Sequence, residues 1–141
     1  MTYKEWNAVI MVAGAVAIAI WVTVDALTNP VTDLQVIAAR LVWAIGFTVL
    51  FNILAVIGMT IVVSIARRQE FKDERADERD VAISAKSMRN AYFVASITGL
   101  GALLIIASAA DPAIAIYVLF GGLLLAGAVD AASRLVYYWL G

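Results

Sequence analysis

The residues of this 141-residue chain that could do chemistry crowd into one stretch, Glu70-Phe71-Lys72-Asp73-Glu74-Arg75-Ala76-Asp77-Glu78-Arg79-Asp80. Asp-Glu-Arg occurs twice there, four residues apart, a spacing that on a helix brings Glu70, Asp73, Glu74 and Asp77 onto one face. Carboxylates so arranged are hard oxygen donors of the kind that Mg²⁺ or Ca²⁺ takes. The stretch lacks the glycine turn and alternating ligands of a calcium loop, however, and Lys72, Arg75 and Arg79 compete for the same oxygens. A solvated, internally salt-bridged helix end is the plainer reading. The functional reading is a docking surface made of Glu70, Asp73, Glu74, Asp77, Glu78 and Arg79, with no metal assigned.

Three further polar constellations lie inside apolar surroundings. Asp130 and Arg134 are one helical turn apart, and a charge in a spanning segment is costly unless paired or hydrated. An ion pair that fixes helix register is the first reading of them, and a proton or ion relay the second. Asn52 sits at the middle of an apolar run and would hydrogen-bond across a helix or dimer interface, with a pore-lining role as the alternative. Asp25 and Arg40 flank a short connection, where a salt bridge closing the hairpin is the simplest expectation.

The chain has no Cys and no His. That removes disulfides, thiolate nucleophiles, Cys and His zinc sites, imidazole bases and the usual haem ligands. Ten Lys and Arg against eleven Asp and Glu leave no basic excess to favour nucleic acid. Most redox and hydrolytic chemistry goes with the missing Cys and His, an enzyme using the cytoplasmic carboxylates ranks third among the readings, and no enzyme and no cofactor is assigned.

The elements that must position these residues are helices. The chain is 64% apolar with a mean hydropathy of +0.93, far above an ordinary water-soluble domain. Four stretches reach the roughly 20 apolar residues that a spanning helix needs, predicting helices over about 6–27, 34–67, 76–110 and 112–140 in a single domain. Thr2-x-x-Glu5 and Thr32-x-x-Gln35 have capping-box form, and Asp111-Pro112 supplies an N-cap followed by proline at the first helical position. The fold expected is an all-α, up-down four-helix bundle in a membrane, with a charged helical extension between helices 2 and 3. The second helix is long enough to tilt, project or bend, with Gly46 and Gly58 as bend points.

Orientation follows from the positive residues. Arg67, Arg68, Lys72, Arg75, Arg79, Lys86 and Arg89 fall between the second and third helices, while the other two connections hold only Arg40. The central segment and both termini are therefore expected in the cytoplasm. Tyr3, Trp6, Tyr92, Tyr137, Tyr138 and Trp139 would form the inner aromatic belt, with Trp21, Trp43 and Tyr117 toward the outer one. Val81, Ala85, Met88 and Tyr92 recur at helical spacing with Lys86 and Arg89 among them, an amphipathic lead-in near the lipid headgroups. Plain anchoring is preferred there to recognition of a particular lipid, because the neighbouring acids dilute the basic cluster.

The pattern Asp77-Glu78-Arg79 followed by Ile83, Lys86 and Tyr92 resembles that of an uncharacterised family of small bacterial four-helix inner-membrane proteins. The resemblance implies a multi-pass protein of the bacterial inner membrane with a sensing or regulatory partner, and it carries over no catalytic residue. Small four-helix multidrug transporters are similar in size but centre on a carboxylate in the first helix, which here has none between Glu5 and Asp25. Quinone-linked thiol oxidases need Cys pairs. Membrane glutathione enzymes place their charged loop after the first helix rather than the second.

The leading expectation is a structural or regulatory accessory protein that meets a protein partner, or a second copy of itself, through the central segment and faces of small residues. The alternative is a dimeric transporter of ions or small solutes using Asp130 and Asn52.

Overall fold

A computed structural model describes residues 3–67 and 78–140 of the chain. The described residues form four helices: α1 (Tyr3–Thr28), α2 (Leu34–Arg67), α3 (Glu78–Ala107) and α4 (Pro112–Leu140). All four are long and apolar enough to cross a membrane. At 1.5 Å per residue the 34 residues of α2 run about 50 Å, uninterrupted through Gly46 and Gly58.

The ends follow local chemistry. Asp33, rather than Thr32, caps α2: its carboxylate accepts the Gln35 amide at 2.8 Å and its carbonyl accepts the Ile37 amide at 3.0 Å. Asp111 caps α4 by accepting the Ala113 amide at 2.9 Å, with Pro112 at the position where a missing N–H costs nothing. α3 stops at Ala107, three residues short of the expected end, because the chain turns through Ala109 with φ at 57°. That left-handed conformation is unusual for a residue with a Cβ. α1 starts at Tyr3, earlier than the apolar run alone suggests. The expected start of helix 3 near Ala76, and Thr2 of the first capping box, lie outside the described residues.

α4 is the hub: it packs against α3, α1 and α2, and α1 also packs against α2. Among the described residues neither α1 nor α2 approaches α3 within 8 Å between Cα atoms. The helices therefore do not close the ring of neighbours that a four-helix bundle implies. Ile37, Leu41 and Ala44 of α2 and Phe120 of α4 form a buried cluster, with Ile18 and Val22 of α1 packed against it. This joins the last half of α1 to the first halves of α2 and α4, so the short connections 29–33 and 108–111 lie at one end, here called the connection end. Tyr3 and Leu140 lie at the other, the terminal end.

What is buried is small. Ala8, Ala44, Ala102, Ala115, Ala126 and Ala131 make up most of the buried apolar residues, and Ser87 is fully buried. The large side chains face outward, among them Trp43 at 67%, Ile65 at 73% and Leu140 at 81% exposed. A water-soluble domain has the reverse arrangement. Hydroxyls follow the same economy: Thr23, Thr48, Thr60, Ser96 and Thr98 each donate to the carbonyl four residues earlier in their own helix, satisfying themselves without water.

Candidate functional site

Among the described residues, the densest polar assembly joins α3 to α4 at the terminal end. The side-chain amide of Asn90 donates to Ser133 Oγ and to the Tyr137 hydroxyl, both at 3.1 Å. Ser133 and Tyr137 are one turn apart on α4, so a single amide grips two successive turns of its neighbour. Nearer the start of α3, the Tyr138 hydroxyl donates to Asp80 Oδ1 at 2.9 Å, and Arg79 Nη2 donates to the Tyr138 carbonyl at 3.5 Å. Sequence reasoning singled out neither Asn90 nor Ser133. The available signal was an amide at the mouth of an apolar helix opposite hydroxyls spaced four apart.

The close approach needed for this clamp is made deeper in, where α3 and α4 cross at Gly122. A Cβ at Gly122 would stand 2.6 Å from Thr98 Cβ, too close for any real contact, so only glycine fits there. Ala126, one turn on, is buried. Asp130 and Arg134 continue the same line and pair with each other: Arg134 Nη2 lies 2.8 Å from Asp130 Oδ2 and its Nε donates to Oδ1 at 3.2 Å. This is a two-point guanidinium–carboxylate contact, with the Asp130 side chain only 17% exposed.

At the connection end Arg40 Nη1 bonds Asp25 Oδ2 at 3.0 Å and the Asn29 carbonyl at 3.2 Å. Asn29 in turn donates to Asp25 Oδ1 at 3.0 Å. One guanidinium thus ties the end of α1 and the turn behind it to the start of α2. Both partners remain partly exposed, which keeps the energetic value modest.

Asn52 faces α1. Its Nδ2 donates to the Thr48 carbonyl at 2.8 Å in its own helix, while its Oδ1 is buried without a hydrogen-bond partner and lies about 3.4 Å from where a Cβ on Gly14 would stand. Asn52 therefore sits at the α1–α2 crossing rather than near Asp130, which is on α4. An apolar cleft of about 560 Å³ opens between α1 and α4, walled by Ala15, Ala19, Ala26, Gly121 and Ala128.

Of the expected docking residues, Glu70, Asp73, Glu74 and Asp77 lie outside the described residues. Glu78 and Arg79 begin α3 and are exposed. Among the described residues no three carboxylates come together to hold a metal ion. No known protein family, no curated protein and no solved structure matches this chain; the reading of function rests on its own residues.

Proposed function

We propose that this chain is a multi-pass protein of a bacterial inner membrane, with both termini and residues 68–77 in the cytoplasm. On this reading it serves as a structural or regulatory accessory that docks a partner, or a second copy of itself, through the charged segment. Small residues inside and large apolar residues outside support the membrane placement, since lipid is the one solvent in which that arrangement costs little. Seven of the ten positive residues on one side of the two central spans support the orientation.

The observation that carries the accessory role is the fate of the polar side chains. Asn90, Ser133, Tyr137 and Asp80 are spent on clamping α3 to α4, and Asp130 is taken by Arg134. Such groups brace a scaffold whose α3 leads directly into the charged segment; a conduction path needs polar groups left for its cargo. Extraction in a mild detergent followed by native mass measurement tests this. Recovery with a second protein or as a defined oligomer is expected, and a bare monomer in every mild extraction would contradict it.

The unpartnered Asn52 oxygen favours one second reading, a dimeric transporter of ions or small solutes using Asn52 and Asp130. It requires that Asp130→Asn abolish flux in reconstituted vesicles.

A further inference from the structure

Two cations at the start of α3 have no partner among the described residues. Lys86 and Arg89 are exposed and make no ion pair or hydrogen bond among the described residues. Asp80 accepts the Tyr138 hydroxyl, Glu78 is partnered, and Asp130 is held by Arg134. None of these described acids pairs with Lys86 or Arg89.

Arg89 stands beside a cleft of about 450 Å³ between α3 and α4, walled also by Asn90, Phe93, Val94 and Val129. Lys86 precedes Arg89 by one turn on the same side of α3. The cleft's polar end is fixed, because Asn90 is gripped by Ser133 and Tyr137, and its apolar end points along the helices toward Phe93 and Val129. A volume of this size holds roughly fifteen water molecules' worth of space, which is room for a headgroup and the first carbons of a chain.

We propose that this cleft binds an anionic phospholipid, with Arg89 and Lys86 holding the headgroup phosphate and the start of an acyl chain lying on Phe93 and Val129. A guanidinium presents paired N–H donors that match phosphate oxygens, and an ammonium adds a second charge. A zwitterionic lipid offers the same phosphate but brings its own cation toward Lys86, so the anionic lipid is preferred. The proposal rests on the membrane placement above, with the terminal end at the cytoplasmic leaflet where anionic headgroups attract basic residues.

The test uses the full chain in nanodiscs of equal phosphatidylglycerol and phosphatidylcholine, with the lipids that stay bound counted by native mass spectrometry. Wild type is expected to keep phosphatidylglycerol preferentially. The double variant Lys86→Gln, Arg89→Gln is expected to lose that preference by roughly tenfold or more, while Arg40→Gln at the connection end keeps it. Phe93→Ala should weaken retention of both lipids without changing the preference. Equal retention of the two lipids by wild type, an unchanged preference in the double variant, or an equal loss in Arg40→Gln overturns the proposal. Displacement of the lipid by inorganic phosphate alone also overturns it, by making the cleft a site for free anions. A chain that fails to enter bilayers at all is seen separately, as protein absent from the discs, and would remove the membrane placement together with this inference.

Discussion

Two helical hairpins of similar length, α1–α2 and α3–α4, hold together differently. α3 and α4 pack along their length, crossing tightly at Gly122 and Thr98 and clamped by Asn90 at the open end. α1 and α2 are tied at their connection by Asp25, Asn29 and Arg40, but beyond Ala44 no described side chain of α2 is buried. Hydrophobicity does not explain the tighter pair, since α3 is the least apolar of the four helices. The difference lies in small residues placed where backbones cross and in side-chain hydrogen bonds that reach a neighbour, which are the forces left between helices when the surroundings are themselves apolar. In α1–α2 the corresponding amide, Asn52, bonds only within its own helix.

The sharpest way to break this comparison is to add one methyl group to each crossing. Gly122→Ala should destabilise the α3–α4 pair by about 1–3 kcal/mol, because Thr98 is β-branched and has little freedom to move aside. Gly14→Ala should be close to neutral: its Cβ would meet Asn52 and Phe51 at ordinary contact distance, about 3.4 Å, and alanine gains up to about 1 kcal/mol of helix propensity. Unfolding in mixed micelles of increasing denaturing detergent measures both, and equal losses would erase the contrast. Asn90→Leu should cost about 1–2 kcal/mol in the same assay, since it removes two interhelical bonds that average about 0.6 kcal/mol each and strands two hydroxyls.

Asn52→Leu should go the other way. With Oδ1 buried and unpaired, the substitution removes a cost of about 1 kcal/mol and stabilises the monomer. A loss of stability accompanied by a fall in self-association would instead place the Asn52 oxygen at a contact between copies. A small loss is expected at the connection: Arg40→Gln should cost under about 1 kcal/mol, and less still at high salt, because the pair with Asp25 is partly exposed.

Much of this was legible in the sequence because it depends on spacing along one helix. Helix number, the Asp111-Pro112 start of α4 and the meeting of Asp130 with Arg134 need only the helical period, and Asp25 with Arg40 needs only a short turn. What could not be read is set by how helices rotate and tilt against one another. The separation of α2 from α3, the grip of Asn90 on Ser133 and Tyr137, and the fit of Gly122 against Thr98 are all relations between helices far apart in sequence. The spacing of Thr32 to Gln35 fits a capping box, but the helix starts one residue later with Asp33 as its cap. The short end of α3 has a similar cause: Ser108, Ala109 and Ala110 continue an apolar, helix-favouring composition, and only the turn to Asp111 interrupts it.

The proposed arrangement has four membrane crossings with residues 68–77 and both termini on the cytoplasmic side, and the absence of any native cysteine makes that directly measurable. Single substitutions Thr32→Cys, Asp73→Cys and Ser108→Cys, probed in intact cells with a membrane-impermeant maleimide, should label at positions 32 and 108 and leave position 73 unlabelled until the cells are opened. Labelling of position 73 from outside, or of all three positions alike, would contradict it.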